Sequence, residues 1–346
     1  MSTRIALLAL TLFARVAFAE ATLDLHSAVV VAPKGLSARE MKAVTMLVEE
    51  VEKRTMNRWE VRHATPKEER PTVVITDMAH ARVAGEHVPV LPAPEKAESY
   101  AIHAEAGGVS VCGHDERGVL FGVGRLLREM KLDAGTATLE LGKDIVEAPA
   151  VALRGHQLGY RPKTNSYDAW TPAMWEQYIR DLAVFGTNAI ELIPPRSDDA
   201  STSPHFPLPQ MEMMTRMSQI CDDYGLDVWV WYPALDRDYG DPATVASALK
   251  EWGEVFAKLP RVDAVFVPGG DPGHTEPMKM MALLEKQTEN LHKWHPKAQM
   301  WMSPQGFTKE WMDTYLAYMQ KEQPKWLTGV VFGPQNRMKL ADLRAA

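Results

Sequence analysis

The amino-acid sequence predicts an α/β protein in which a small α+β sandwich domain precedes an incomplete (β/α)8 barrel of about six strand–helix units. Three observations support this fold class. Apolar strand-like runs alternate with helical patterns from Val151 onward. These runs recur about every 30 to 40 residues, the length of one strand, one crossover helix and two short loops. The segment before Val151 mixes strands and helices in a different order.

The second half of the chain supplies the strands of the predicted barrel. These runs are apolar on both faces, as expected of parallel strands that are covered by helices. The predicted strands are Ala152–Gln157, Asn188–Ile193, Asp227–Tyr232, Asp263–Val267, Gln299–Met302 and Gly329–Phe332. Eight units normally close such a barrel, and six would leave unpaired strand edges, so we expect either a truncated form of a longer protein or something else that covers the gap.

The segments between these strands have the pattern of amphipathic helices. Met174, Tyr178, Leu182 and Phe185, for example, recur at helical spacing and form one apolar stripe. Gly186 follows this stripe at the position where a helix commonly ends in the left-handed conformation that glycine tolerates best. The pattern therefore predicts a helix that turns at once into the next strand.

The first half of the chain predicts the α+β sandwich, with two helices on one face of a mainly antiparallel sheet. Its predicted strands are Ser27–Ala32, Thr72–Thr76, Tyr100–Ala104, Val109–Cys112 and Ala137–Leu141, and its second helix is Arg117–Met130. The Ala-Pro-Ala run at 148–150 marks the boundary. We therefore divide the chain into a leader (1–19), an accessory domain (20–147) and a partial barrel (148–346).

The leader has the pattern of a secretory signal peptide. Arg4 precedes the apolar stretch Ile5–Phe13, and Ala17 to Ala19 form a small-x-small cleavage pattern. The apolar stretch is too short for a membrane anchor, which needs about 20 apolar residues. The sequence thus predicts a secreted or periplasmic protein with no membrane association after cleavage.

Charge and cysteine content exclude some function classes. The net charge is −7, and loss of Arg4 and Arg15 with the leader makes it −9. An acidic chain without a basic run is poorly suited to nucleic acid. Cys112 and Cys221 lie in a strand-like and a helical run, so we expect buried small residues and not a disulfide.

Function in barrels of this kind gathers at the carboxyl ends of the strands. The loop after the fourth predicted strand is the most informative, because Gly269 and Gly270 allow a sharp turn that presents Asp271. His274 and Glu276 follow closely. Carboxyl groups at this end suit cleavage of a glycosidic bond, which needs an acid to protonate the leaving oxygen. A simple turn, in which Asp271 caps the next helix, is the structural alternative.

Aromatic residues supply a second observation. Trp229 and Trp231 share one face of the third predicted strand, and Tyr232 ends it. Aromatic rings beside polar groups often contact sugars. Packing inside the barrel or against helices is the alternative for these rings.

The sequence also contains side chains that could bind a metal ion. His156, His205, Asp271 and His274 have metal-binding side chains, but Asp271 and His274 lie on a loop at a spacing that is not diagnostic. The sequence therefore predicts no metal and no cofactor, and a metal-dependent hydrolase is a minor alternative.

Three short motifs resemble those of bacterial glycoside hydrolases of the β-hexosaminidase and α-glucuronidase type. Asp115–Gly122, followed by Leu126 and Leu127, is similar to the glycine-containing helix of the accessory domain in these enzymes. Val267–Asp271 resembles the Gly-Gly-Asp-Glu segment of β-hexosaminidases, and Arg154–Gly155 resembles their first barrel strand. The resemblance implies an α+β domain before a catalytic (β/α)8 barrel.

The resemblance also implies roles for individual residues. Arg154 would reach the sugar, and Asp271 would orient the acetamido group of the substrate. In β-hexosaminidases the residue after this aspartate is a glutamate that acts as the acid, whereas here it is Pro272. The acid would then be Glu276, His274 or Asp271 itself.

We therefore expect an exported glycoside hydrolase-like protein that acts on an oligo- or polysaccharide through carboxylate acid/base chemistry. The alternative is a non-catalytic carbohydrate-binding protein or an inactive truncated fragment. The expected catalytic residues are Asp271, Glu276 and His274. The expected substrate-binding residues are Arg154, His156, Tyr160, Glu191, Trp229, Trp231, Tyr232 and Gln305.

Overall fold

The computed structural model describes residues 21–84, 88–158, 170–196, 207–270, 272–333 and 339–345. The predicted leader, Tyr160 and Asp271 lie outside these residues, and so does His205. None of the described helices is both long enough and apolar enough to cross a membrane.

The first half of the chain forms two sheets and two long helices. Its strands are β1 (Thr22–Asp24), β2 (Val29–Val31), β3 (Glu60–Arg62), β4 (Thr72–Asp77), β5 (Tyr100–Glu105), β6 (Gly108–Gly113), β7 (Lys131–Asp133), β8 (Thr136–Glu140) and β9 (Ile145–Glu147). Its helices are α1 (Ala38–Thr55), the short α2 (Ala81–Ala84) and α3 (Glu116–Glu129).

The larger of these sheets is mixed, which corrects the expectation of a mainly antiparallel sheet. Its strand order is β3-β2-β4-β6-β5-β9, in which β2 runs parallel to β3 and β4, and β4 runs parallel to β6. Only the pairs that involve β5 are antiparallel. The reason is that α1 carries the chain back across the sheet, and such a crossover makes the next strand parallel. Strands β1, β8 and β7 form a separate antiparallel sheet.

The glycines of α3 allow this helix to approach its neighbours closely. Asp115 caps its first turn by accepting a hydrogen bond from the amide of Gly118, at 2.8 Å. A β-carbon at Gly118 would overlap the carbonyl oxygen of Ser99, and one at Gly124 would lie 2.9 Å from the backbone of Val184. Close packing on both sides therefore explains the glycine-containing motif in this segment.

The second half forms a six-stranded, wholly parallel sheet whose strand order follows the chain, and this confirms the predicted strand–helix repeat. Its strands are β10 (Gly155–Gln157), β11 (Ala189–Leu192), β12 (Asp227–Trp231), β13 (Ala264–Pro268), β14 (Gln299–Ser303) and β15 (Gly329–Val330). Its helices are α4 (Pro172–Val184), α5 (Gln210–Asp223), α6 (Pro242–Lys258), α7 (Pro277–His292), α8 (Lys309–Glu322) and α9 (Leu340–Ala345).

Side chains alternate between the two faces of this parallel sheet. One face carries fully buried residues, among them Ile190, Val228, Val230, Val265 and Met300. The opposite face, here called the inward face, carries several partly exposed side chains, among them Glu191, Trp229, Phe266 and Trp301. The site described below lies on this inward face.

A buried carboxylate joins the two halves of the chain. Glu98 accepts hydrogen bonds from Arg154 at 2.6 Å, Arg117 at 3.1 Å and Asn188 at 2.9 Å. Burial by itself raises the pKa of Glu98, but these three hydrogen bonds outweigh burial and lower it below its usual range. The polar junction therefore fixes the start of β10 against the first domain.

Candidate functional site

A pocket of about 380 Å³ lies on the inward face of the parallel sheet. Its lining residues come from five of the six strands, or from positions next to a strand: Leu153, Gly155, His156, Gln157, Ala189, Glu191, Trp229, Phe266, Trp301 and Val331. None of these lining residues is a lysine or an arginine. Of the described residues that line the pocket, Glu191 alone has an acidic side chain, and most of the others are aromatic or aliphatic.

Small side chains create the space for this pocket. Gly155 and Ala189 face each other in the register of β10 and β11, one level below Gln157 and Glu191. Ala264 pairs with Trp229 and Gln299 in the neighbouring strands. Large side chains at these positions would fill the inward face, as they fill the centre of a closed barrel.

The carboxyl group of Glu191 is the central polar feature of the pocket. Burial raises the pKa of Glu191 to about 7, although the hydrogen bond that its Oε1 accepts from Nε2 of Gln157, at 2.7 Å, acts in the opposite direction. Burial disfavours the charged form, whereas a donated hydrogen bond favours it. Near neutral pH, Glu191 therefore exchanges readily between its protonated and ionised forms.

Two indole rings form the aromatic wall beside Glu191. The ring centroids of Trp229 and Trp301 are 5.7 Å apart and the planes are tilted by 33°. Nε1 of Trp301 donates a hydrogen bond to Oε1 of Gln299 at 2.8 Å, which fixes the orientation of the ring. Both tryptophans are partly exposed, so their faces are available to a ligand.

The other aromatic residues of the third barrel strand take different positions. Trp231 is buried and stands beside Phe266 in the register of the sheet. Tyr232 points to the helices: its ring stacks on Trp252 with a centroid distance of 3.8 Å, and it is fully buried. Tyr232 therefore packs between sheet and helix, which differs from its expected place in a sugar cleft.

Arg154 and His156, at the start of β10, also contact groups outside the pocket. A ring nitrogen of His156, Nε2, lies 3.1 Å from the hydroxyl of Tyr178 on α4, so this end of the ring faces the helices. Arg154 lies at the amino end of β10, where it donates to Glu98 and to the carbonyl of Gly186 at 2.7 Å. Ligands of such sheets bind at the carboxyl ends of the strands. Arg154 lies at the other end, where its hydrogen bonds stabilise the domain junction.

Tight backbone packing defines the loop after β13. A β-carbon at Gly269 would overlap the carbonyl oxygen of Ser303, and Gly273 adopts a φ of +107° against the carbonyl of Ala234. The amide of Gly270 donates to the carbonyl of Gln305 at 2.7 Å. The backbone bends at Gly269 and Gly270, as the glycine pair predicted, while the role of Asp271 stays a prediction.

Glu276 caps the helix that follows this loop. Its carboxylate accepts hydrogen bonds from the backbone amides of Met278 at 3.0 Å and Lys279 at 3.4 Å, at the start of α7. A carboxylate in this position stabilises the positive end of the helix. The structure therefore gives Glu276 a structural role that the sequence analysis did not assign.

His274 and Gln305 lie at the carboxyl ends of β13 and β14. His274 is exposed, has a positive φ of 49°, and its ring lies 4.7 Å from that of Trp311 at the start of α8. Gln305 is partly buried and its backbone amide donates to Oγ of Ser303 at 3.2 Å. Both residues therefore stand at the expected end of the sheet but do not line the pocket.

Sequence reasoning missed several lining residues, including Gln157, Phe266 and Trp301. Trp301 and Phe266 lie on the same face of the sheet, because they are register partners in neighbouring strands. The alternation of side chains along each strand indicates two faces, but only the pairing of the strands shows which residues share one. In the part of the chain that the structure describes, no three histidine, cysteine or acidic side chains are grouped so that they could hold a metal ion.

Comparisons with known proteins give matches at the level of structure. No protein-family model matches the chain, and no curated protein matches it by sequence. The structure is similar to the family 20 β-N-acetylhexosaminidase of Streptomyces coelicolor, with a TM-score of 0.64 and 13% identity, over 92% of this chain and 73% of the other. A variant β-hexosaminidase of Streptomyces plicatus in complex with the product GlcNAc gives a TM-score of 0.64 at 13% identity, over 92% and 72%.

A third similar structure belongs to another family. CpGH84B matches with a TM-score of 0.63 at 14% identity, over 92% of this chain and 55% of its own. At these identities the likeness concerns the fold. The chain therefore has the fold of family 20 and family 84 glycoside hydrolases, as the resemblance of its motifs predicted.

Proposed function

We propose that this chain is an exported glycoside hydrolase-like protein that binds an oligo- or polysaccharide in the inward-face pocket and acts on it by carboxylate chemistry. One observation carries the proposal. The carboxyl group of Glu191, the amide of Gln157 and the indoles of Trp229 and Trp301 line one pocket. Apolar ring faces beside a few polar groups are the usual composition of a sugar site.

Glu191 takes the role of proton donor in this proposal. Cleavage of a glycosidic bond needs a carboxylic acid that is protonated near the working pH and can give its proton to the leaving oxygen. Burial raises the pKa of Glu191 to about 7, so a large protonated fraction persists at neutral pH. The ionised form that remains after transfer is stabilised by the Gln157 amide.

We propose that Asp271 acts on the substrate together with Glu191. The loop that carries it follows β13 and is held to the loop after β14 by the hydrogen bond between Gly270 and Gln305. The family resemblance implies that Asp271 orients an acetamido group of the substrate. We assign no proton transfer to Glu276, since both of its carboxylate oxygens accept hydrogen bonds from α7.

Turnover of a panel of aryl glycosides by the full-length protein tests this function. The Glu191→Gln variant is expected to lose at least about 100-fold in kcat/KM, the typical contribution of a positioned acid. Glu254→Gln on α6 is the matched control, because Glu254 is exposed on a helix and lies outside the pocket lining. Wild-type protein without turnover on any member of the panel would refute the hydrolase assignment.

A non-catalytic carbohydrate-binding protein is the second candidate. Two observations favour it: Pro272 stands where the resembled enzymes have their acid, and Glu276 caps a helix. Titration calorimetry with chito- and xylo-oligosaccharides separates the two functions. Binding that Trp229→Leu abolishes and Glu191→Gln leaves intact, without turnover, would support this candidate. Trp294→Leu is the matched control, since Trp294 is exposed just after α7.

A further inference from the structure

Gln157 and Glu191 are direct neighbours in the sheet. They are register partners on the parallel strands β10 and β11, so their side chains leave the same face side by side. Nε2 of Gln157 donates to Oε1 of Glu191 at 2.7 Å, a short hydrogen bond of the kind that charged acceptors make. Strand pairing therefore sets this contact.

We propose that Gln157 is the positioning residue for proton transfer by Glu191: its amide holds one carboxyl oxygen and so directs the other oxygen into the pocket. The inference rests on the proposed function of the pocket. It adds a role for a residue of the first barrel strand.

The surroundings of the pair support this role. Among the side chains that the structure describes, the Gln157 amide alone hydrogen-bonds to the Glu191 carboxyl. Gly155 and Ala189, one level below, offer no polar side chain that could replace it. Among the described residues, Gln157 is thus the side chain that orients the carboxyl group about its last torsion, which by itself has broad energy minima.

Direct sugar binding by Gln157 is the competing explanation. Gln157 is exposed, so its amide could contact a hydroxyl group of the ligand. Loss of such a contact raises KM and leaves kcat and its pH dependence unchanged. Loss of positioning lowers kcat and moves the pH dependence, because the hydrogen bond favours the ionised form of Glu191.

Full-length Gln157→Leu and Gln157→Glu variants test the inference. For Gln157→Leu we expect a fall in kcat of about tenfold with little change in KM, as is usual for a misplaced catalytic group. The alkaline limb of the pH profile of kcat should move to higher pH, because loss of the hydrogen bond favours the protonated form of Glu191. Gln157→Glu should move it further in the same direction, because two neighbouring carboxyl groups share one proton.

A readout without turnover accompanies the kinetics. The titration of the Glu191 carboxyl, followed by 13C NMR in glutamate-labelled full-length protein and assigned with Glu191→Gln, should shift upward in both variants. Gln219→Leu is the matched control, since Gln219 is an exposed residue of α5 that bonds to Asp223. An unchanged Glu191 titration in Gln157→Leu would overturn the positioning role, and so would a change in KM alone.

The two proposals fail in distinguishable ways. If wild-type protein shows no turnover but the Glu191 titration shifts in Gln157→Leu, the hydrolase function is refuted, and with it the role of Gln157 in positioning Glu191 for proton transfer. If turnover is present and depends on Glu191 but not on Gln157, the function stands and the positioning role is refuted.

Discussion

The indole of Trp301 lies over Gly329 in the neighbouring strand. The two residues are register partners in β14 and β15, and a β-carbon at position 329 would overlap the six-membered ring of the indole. One wall of the pocket therefore depends on the absence of a side chain in the next strand. This relationship explains why a glycine occupies β15 although glycine weakens a strand.

Gly329→Ala is expected to displace the Trp301 ring. The added methyl group should lower the free energy of unfolding by about 1–3 kcal/mol, the usual cost of overpacking. It should also weaken oligosaccharide binding, because the tilt between Trp301 and Trp229 changes. Urea unfolding and titration calorimetry measure the two effects. Gly107→Ala is the control, as nothing lies within 4 Å of its β-carbon position; equal effects of both substitutions would contradict the prediction.

Glu191 should make stability depend on pH between about 4.5 and 7. Its pKa is raised from 4.5 to about 7 by burial, so the folded state binds more protons than the unfolded state in this window. Stability contributed by the protonated group is therefore present at low pH and lost as pH rises. Glu191→Gln should be more stable than wild type at pH 8, by up to about 3 kcal/mol, and comparable to it at pH 4.

Urea unfolding of both proteins at pH 4, 6 and 8 measures this difference. Solvent contact at the partly exposed Glu191 will reduce its size. A stability difference that is the same at all three pH values would show that the carboxyl group does not titrate differently in the folded state. If Glu191→Gln were less stable than wild type at pH 8, the sign of the prediction would be wrong.

Glu276 should behave as a helix cap in stability measurements. Glu276→Ala is expected to cost about 1 kcal/mol of unfolding free energy, since the amides of Met278 and Lys279 lose their acceptor. Asp241→Ala, which removes the corresponding cap of α6, should cost a similar amount. Activity of Glu276→Gln should stay within about twofold of wild type, because Glu276 is a helix cap and transfers no proton in this proposal. Loss of a general acid would instead lower activity at least about 100-fold. A larger loss of activity would restore Glu276 as the acid.

Glu98 should stabilise the junction between the two halves in a pH-dependent manner. Glu98→Gln is expected to lower the free energy of unfolding by about 2–3 kcal/mol at pH 7, because Arg154 loses its anionic partner and Arg117 keeps only Asp227. The pKa of Glu98 is lowered in the folded state, so its contribution is present at neutral pH and is lost as pH falls through the folded value.

Thermal unfolding of Glu98→Gln at pH 7 and at progressively lower pH checks this prediction. Glu52→Gln is the control, since Glu52 forms an exposed ion pair with Arg58, and such pairs contribute little. If the two variants lose the same small amount, the junction does not depend on the Glu98 carboxylate.

The repeat of strands and helices was predictable because buried parallel strands and amphipathic helices leave strong periodic signals. The strand from Asp227, for example, was predicted within one residue of its observed end at Trp231. The pairing partners of β2, β3 and β4 were not predictable, because strand order in a sheet depends on contacts between segments that lie far apart in the chain. The mixed sheet of the first half was therefore missed.

The candidate site was predicted only in part. The sequence indicated a sugar site on the parallel sheet and included Glu191 and Trp229 among its residues. It emphasised Glu276, whose carboxylate is the natural cap of α7, and Tyr232, whose ring stacks on Trp252. A sequence shows which residues can do chemistry, but the competing use of a carboxylate by a nearby helix end is visible only when the helix start is known.

The sequence by itself determined the parallel repeat, the acidic character of the chain and the sharp turn after β13, since these follow from local patterns and composition. Only the tertiary structure decided that Gln157, Glu191, Trp229 and Trp301 share one pocket. These residues lie far apart along the chain and meet through the register of parallel strands. The raised pKa of Glu191 likewise depends on burial by distant segments, which no local pattern records.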